Sequence, residues 1–395
     1  MKIAFIHLDL GIGGAESLVV AAAVGLQEKG HEISMFTAHC DPSHAFEPVK
    51  DGTLKVEVLG GFLPRAIFGK FIVLMAVLRM SWICAVLWYR GVYFDVIFND
   101  QVSAINPLIR FLLKPKKSIF YCHYPDAFLC VDRISFLKRL YRIPFDWLEK
   151  VTISSCTHVL VNSLFTAGIL KKFAPDAEPI VIYPPCGVGV ETDEPGNFST
   201  EADLKFPQGY LLSLNRFERK KNVALALKAF AELGAKNADE KMGLMIAGGF
   251  DSRVPENREN LAELSKLAAD LEISSHVHFL TSVSDSVRRV LLSKALAVVY
   301  TPSLEHFGIV PCEAMAVGTP VIACNDGGPR ESVVDGETGW LCESGDVAAF
   351  SKAMQKATHL TQRARRRMAD AGIKRVKERF SVQSFVRQLD KLLLL

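Results

Sequence analysis

MKIAFIHLDLGIGGAESLVVAAAVGLQEKGHEISMFTA, residues 1–38, decides the fold. Residues 2–10 read as a buried parallel strand, Gly11, Gly13 and Gly14 turn the chain, 15–29 carries helical periodicity that stops at Gly30, and 33–38 supplies a second strand. This is a βαβ unit. Its glycine turn lies at the carboxyl end of the first strand, where open α/β sheets hold ligands. Short apolar runs at 96–99, 118–122 and 158–162 extend the same sheet.

The alternation restarts after residue 208. Runs at 210–214, 244–247, 277–280, 297–301 and 320–324 read as strands, with helices at 222–233, 257–271 and 310–317 between them. Strands separated by helix-length segments make a second doubly wound sheet. From Pro184 to Pro207 the chain is PPCGVGVETDEPGNFSTEADLKFP, rich in proline, glycine and acids and without either period, which marks a linker. The expected organisation is one Rossmann-like domain over 1–185, a linker over 186–207, a second such domain over 208–378, and a C-terminal stretch, 379–395, whose helix packs back on the first domain. Two domains of this kind would face each other across a cleft able to hold two reactants.

Composition narrows the function. In 395 residues, 46 Lys and Arg stand against 43 Asp and Glu, and a net charge of +3 is too small for a protein that grips nucleic acid by charge. With 49% hydrophobic residues, disorder is excluded. Nine cysteines, an odd number with no C-x-x-C pair, suit a reducing compartment. The N-terminus lacks the features of a secretory signal.

One segment departs from the pattern. FIVLMAVLRMSWICAVLW, residues 71–88, lies in a membrane-associating helix expected over 66–90 and carries a single charge, Arg79, with Arg65, Lys70 and Arg90 flanking it. Its length fits a membrane helix or a buried core helix. Trp82, Trp88 and Tyr89 beside flanking bases favour interfacial contact, and one continuous sheet suits an embedded helix better than a spanning one. From Phe62 to Lys172, 15 Lys and Arg face 6 Asp and Glu, a net of +9. Such an excess is either a solvated face or a surface for lipid phosphates or a diphosphate-bearing acceptor.

The densest constellation is YTPSLEHFGIVPCEAMAVGTPVIACNDGG, residues 300–328, with Glu305 in a turn and Glu313 on the helix that follows. Were the stretch helical throughout, eight residues would part the carboxylates by ~12 Å, too far for the nucleophile and acid of a retaining glycosidase. They hold different jobs. Gly308 lets a ligand approach the backbone, the amides opening the helix favour a phosphate, and Glu313 suits ribose hydroxyls while Glu305 suits the sugar. Either carboxylate alone is as ordinary as a surface residue or a helix cap.

Upstream, SLNRFERKKN, residues 213–222, sets Arg216 and Lys221 just after a strand. A guanidinium fork and an ammonium fit a diphosphate leaving group. A basic helix entrance is the plainer reading, yet positive charge there opposes the helix dipole unless an anion joins it. In the first domain Gly13 and Gly14 would present amides to a phosphate or to the acceptor. A nicotinamide site would need an acid where Thr37, Ala38 and His39 stand. FYCHYPD, residues 120–126, puts His123 at a strand end, which favours a ligand contact although a lone histidine is more often structural; His7, His39 and His158 are read as structural. No cluster has metal-ligand spacing, so no metal is expected.

These residues resemble the retaining two-domain glycosyltransferases that include glycogen synthase and many bacterial mannosyltransferases. Their mark is E-x7-E, here Glu305 to Glu313, with an Arg and Lys pair upstream, here Arg216 and Lys221. DLGIGGAE, TAHCDPSHAF, NDQVSAI, FYCHYPD, SFLKRLYR, LVNSLFTA, LNRFERKKN, IAGGFDSRVPEN, YTPSLEHFGIVPCEAM and NDGGPRESV, spread over nearly the whole chain, resemble the eukaryotic dolichol-pathway α-1,3/α-1,6-mannosyltransferases.

The resemblance implies an α/β fold of GT-B type and an endoplasmic-reticulum membrane enzyme with its catalytic domains on the cytosolic face. Such an enzyme takes mannose from GDP-mannose and adds an α-1,3 and then an α-1,6 residue to mannosyl-chitobiose on dolichol diphosphate, in N-glycan precursor assembly. Carried over, Glu313 would hold the ribose, Arg216 and Lys221 the diphosphate, Glu305 the transferred mannose and His123 the mannose near the reacting centre. Gly13 and Gly14 would meet the donor phosphate or the acceptor, with Phe307, Gly308 and Ile309 also in the donor site. No bound cofactor or divalent metal is expected, and other dolichol-pathway mannosyltransferases are candidate partners. The wider family often has Gly after the first Glu; this chain has His306, as the dolichol-pathway branch does. Two readings compete: a sugar-nucleotide epimerase or phosphorylase on the same plan, and a non-catalytic membrane scaffold of a glycosylation complex.

Overall fold

A computed structural model describes residues 1–129, 136–186, 207, 209–234 and 242–395, so most of the expected linker lies outside the described residues. The chain divides into two compact units, Met1–Val188 with Val382–Leu395, and Gly189–Ser381.

In the first unit β1 (Lys2–Leu10), β2 (Glu32–Cys40), β3 (Val56–Val58), β4 (Val96–Asp100), β5 (Lys117–Cys122), β6 (His158–Val161) and β7 (Pro179–Val181) form one parallel sheet. Its order is β3-β2-β1-β4-β5-β6-β7. Ile3, Ala4, Phe5 and Ile6 are all buried because helices cover both faces, and strands buried twice read as unbroken apolar runs. The edge strands β3 and β7 have three residues each, too few to show a period.

The apolar helix runs Ile72–Tyr89, not from residue 66. Phe68 adopts left-handed backbone (φ 50°) in a tight turn closed between Ile67 and Lys70, Phe71 (φ 60°) follows it as the N-cap, and helix begins only beyond. By length and composition this helix is able to cross a membrane. In the fold it is a wall of the sheet: Met80, Ile83, Cys84 and Leu87 pack with Ile6, Phe36 and Ile97. Its one charge, Arg79, is buried and forms an ion pair of 2.6 Å with Asp9. Ile72, Leu78, Trp82, Trp88 and Tyr89 remain exposed on the outer face.

The C-terminal helix, Val382–Leu394, joins the opposite face of the first sheet. Phe385, Val386, Leu389 and Leu393 share a core with Leu18, Ala22 and Leu26 of the helix Gly14–Glu28. Gly25 makes the approach possible, since a Cβ there would lie 2.2 Å from Val386 Cγ2.

In the second unit β8 (Gly209–Leu214), β9 (Met242–Gly248), β10 (Val277–Thr281), β11 (Ala297–Tyr300), β12 (Val321–Cys324) and β13 (Gly339–Cys342) form a parallel sheet ordered β10-β9-β8-β11-β12-β13. Both sheets therefore reverse their strand order beside the first strand, between β1 and β4 and between β8 and β11. At such a point the loops diverge and open a crevice at the carboxyl ends.

Leu389 has no exposed surface. Leu389→Ala should destabilise the first unit by about 2–5 kcal/mol, read as a lower urea midpoint for that unit's unfolding transition.

Candidate active site

In the second unit the loops after β8 and β11 are tied together. Lys221 ends a short turn, Arg219–Lys221, after β8. Thr301, at the end of β11, donates from Oγ1 to the Lys221 carbonyl at 2.8 Å. The Lys221 ammonium donates to Glu305 Oε2 at 2.6 Å, with both side chains mostly buried. Two residues 84 apart thus form one ion pair across the switch point. Gly248, at the end of β9, lets the chain leaving β8 lie against it, because a Cβ there would lie 1.9 Å from the Asn215 carbonyl oxygen.

The Glu305 loop rests on residues 325–328. The Leu304 N–H donates to Asp326 Oδ1 at 2.8 Å, and the Gly328 N–H to the Glu305 carbonyl at 2.8 Å. A Cβ on Gly328 would come 2.1 Å from the Phe307 carbonyl oxygen, so the loop lies flat only against glycine. Burial, then the charge of Glu305 and a hydrogen bond to it, hold the Tyr300 hydroxyl well above its ordinary pKa, which keeps it a donor. Gly308, at φ 78°, caps the helix Ile309–Ala316.

Other expected residues have different surroundings. Glu313 is paired with Arg288 of the helix Asp285–Lys294. Burial raises its pKa while the charge and hydrogen bond of Arg288 oppose the rise. Arg216 is exposed and pairs with Glu218 at 3.1 Å. Arg219, which the sequence groups with Lys221, instead meets Glu259 and Glu263 at 2.8 and 2.6 Å, so these acids offset part of the basic run's charge. The Phe307 ring is buried against Phe380, with centroids 5.7 Å apart, which leaves its backbone to border the helix mouth. Ile309 is the first residue of the helix and is half-buried.

In the first unit, His123 Nε2 lies 3.2 Å from Asp100 Oδ2, and His7 Nδ1 lies 2.8 Å from Asp100 Oδ1. His7 Nε2 lies 3.7 Å from Glu16 Oε1. Gly13, extended at φ −169°, precedes the helix that carries Glu16, and a Cβ on it would meet the Glu16 carboxylate at 2.4 Å. Nothing stands within 4 Å of a Cβ built on Gly14. The sequence reads His7 as structural and does not single out Asp100, which the fold joins in one chain of groups with His123. The available signal was an acid at the end of a strand beside a switch point.

Burial alone would lower the pKa of His7, but the charge and hydrogen bond of Asp100, then those of Glu16, outweigh it and lift it to about 10. Asp100 is fully buried, which favours its neutral form, yet the charge of His7 and the bond from His123 hold its pKa below the ordinary value. A cavity of about 380 Å³ adjoins these groups, walled by Leu8, Val77, Phe120 and Leu148 with His123 and Glu149 in its lining. Burial pushes Glu149 up to about 7, against N–H bonds from Asp126 and Ala127 at 2.7 and 2.9 Å. Among the described residues no group of three or more His, Cys, Asp or Glu is arranged to hold a metal ion.

The Glycosyl transferases group 1 family matches residues 200–375, and Glycosyltransferase Family 4 matches residues 12–191. Sucrose-phosphate synthase of Thermosynechococcus elongatus superposes over 99% of this chain and 98% of its own, with TM-score 0.77 at 22% identity. Anabaena Alr3699/HepE, solved with UDP and glucose, does so over 100% and 99%, with TM-score 0.74 at 18% identity. These likenesses show the fold, which is that of a GT-B glycosyltransferase.

Sequence relatives narrow the class. The chain is 43% identical over 422 residues to the α-1,3/1,6-mannosyltransferase ALG2 of Rhizomucor pusillus, covering 100% of this chain and 91% of that protein. It is 43% identical over 400 residues to that of Homo sapiens, covering 98% and 94%. The chain belongs to the α-1,3/1,6-mannosyltransferase ALG2 family, which favours the transferase over the epimerase and scaffold readings.

Because the folded pKa of His7, about 10, exceeds its ordinary 6.5, the stability this group contributes is fully present below pH 6.5 and is lost as pH rises through about 10. His7→Gln should therefore unfold at lower urea than wild type at pH 6.5, and the gap should narrow towards pH 10.

Proposed function

We propose that this protein transfers mannose from GDP-mannose to dolichol-diphosphate-linked Man-GlcNAc-GlcNAc, forming the α-1,3 and then the α-1,6 linkage at the cytosolic face of the endoplasmic-reticulum membrane. The Lys221–Glu305 pair at the β8/β11 switch point is the observation that supports it most. An ammonium has three donors; Glu305 takes one, and two are left for diphosphate oxygens. Pairing also lowers the cost of keeping either charge out of water.

As the anomeric bond breaks, negative charge grows on the departing diphosphate, and Lys221 and Arg216 hold it more strongly in the transition state than before. Glu305, fixed from below by Gly328 and flanked by Tyr300, accepts a hydroxyl of the transferred mannose. Glu313, steadied by Arg288, accepts the ribose hydroxyls, and the amides at Gly308 and Ile309 face the phosphate. His123 meets the mannose from the first unit, and Gly13 and Gly14 meet the donor phosphate or the acceptor. Configuration is retained by attack on the face the diphosphate leaves, with that diphosphate taking the acceptor proton.

Exposed apolar residues of the helix Ile72–Tyr89 are joined by Leu137, Leu140, Ile143 and Trp147 of the helix Phe136–Thr152, which also carries Lys138, Arg139 and Lys150. Apolar side chains beside bases suit contact with an anionic lipid surface. Such contact brings the site to a lipid-borne acceptor and to other mannosyltransferases of the same pathway.

The test follows label from GDP-mannose into the lipid phase with purified protein and the lipid-linked trisaccharide. Glu305→Ala should slow transfer by about a hundredfold or more; a variant that transfers at the wild-type rate contradicts the assignment. Lys221→Ala and Arg216→Ala should both slow transfer and weaken inhibition by GDP, and unchanged GDP inhibition contradicts the diphosphate role.

A further inference from the structure

Two fully buried ionisable side chains of the first unit, His7 and Asp100, have no role in the chemistry above. Asp100 lies between two imidazoles, His7 Nδ1 at 2.8 Å from one oxygen and His123 Nε2 at 3.2 Å from the other. His7 is itself held by the Asp9 carbonyl at 3.1 Å and by Glu16. The rest of His123 is fixed as well: its carbonyl accepts from Asn162 Nδ2 at 2.8 Å, and the Tyr121 ring lies 4.9 Å from its own. Among the described residues, Asp100 is the one hydrogen-bond partner of the His123 ring, which lines the 380 Å³ cavity.

A carboxylate only accepts hydrogen bonds, so the histidine nitrogen facing it must carry a hydrogen. The bond one ring nitrogen makes decides the role of the other. We infer that Asp100 is a positioning residue: held by His7, it orients His123 with Nε2–H towards its own carboxylate and so presents Nδ1 as an acceptor to a hydroxyl of the bound mannose. This rests on the proposal that His123 meets that sugar. An amide at position 100 cannot accept from both histidines at once. With Asn there, His7, whose Nε2 faces the Asp9 carbonyl and Glu16, both acceptors, keeps a hydrogen on each ring nitrogen and so takes the amide oxygen at Nδ1. His123 Nε2 must then accept from the amide NH2 or lose its partner, and its proton shifts to Nδ1, which then donates where it had accepted.

The tautomer is read by ¹⁵N NMR of the histidine-labelled full chain, with the His123 signals assigned by their absence in His123→Ala. Wild type should show the Nε2–H form, and Asp100→Asn should lose it. In the transfer assay Asp100→Asn should lower kcat at least about tenfold with GDP inhibition unchanged, and should cost less than about twofold further in the His123→Ala background. An Nδ1–H ring in wild type, or losses from the two substitutions that multiply, overturns the inference. His7→Gln keeps a donor for Asp100 and should retain the Nε2–H form, so its loss in that variant also counts against the inference, even if Asp100→Asn fails to fold. Absence of any transfer by wild type would instead refute the proposed reaction, and the tautomer would still decide the role of Asp100.

Discussion

The reversal of strand order beside the first strand of each sheet is the constraint on which the chemistry depends. It places the carboxyl ends of β1 and β4 side by side in one unit, and those of β8 and β11 in the other. The candidate residues lie at or near these ends, on the loops that leave them, or at the end of the next strand: His7 in the last half of β1, Asp100 at the end of β4 and His123 just past β5 in the first, Lys221, Tyr300 and Glu305 in the second. A parallel sheet covered on both faces has little other place where polar groups can converge without disrupting its core.

Both clusters depend on charges withdrawn from water, and in both the surroundings offset the cost of burial. Lys221 has Glu305, Glu313 has Arg288, and Asp100 has two histidines. Removing one member of such a pair leaves its partner buried and uncompensated, which is why these residues matter to the fold as well as to the proposed reaction. The glycines around them act by size. Gly248 and Gly328 let backbone lie on backbone where any side chain would collide, and the Lys221 and Glu305 loops keep their shape because of it.

Much of this was legible from residues alone, for a physical reason. Strands buried on both faces are apolar runs, so β1, β4, β5, β8, β9 and β11 were found within two residues of their ends, whereas the three-residue edges β3 and β7 carry no readable period. The start of the helix Ile72–Tyr89 was missed because the turn and N-cap before it hold phenylalanines at positive φ, which no composition rule marks. Spacing and resemblance single out Glu305 and Lys221, and the structure pairs the two. They do not single out the other partners: Arg288 is 25 residues from Glu313 and Asp100 is 93 from His7, and a pairing made only by the folded topology leaves no local pattern. Arg288 has Arg289 beside it and nothing in the sequence to prefer one over the other.

The central claim is that Lys221 and Glu305 grip opposite sides of the donor's anomeric bond, and an experimental structure of the full chain with bound GDP-mannose tests it most directly. The account predicts diphosphate oxygens within hydrogen-bond reach of the Lys221 ammonium and a mannose hydroxyl on the Glu305 carboxylate. A donor seated with its diphosphate on other residues, and the Lys221–Glu305 pair untouched, would contradict it.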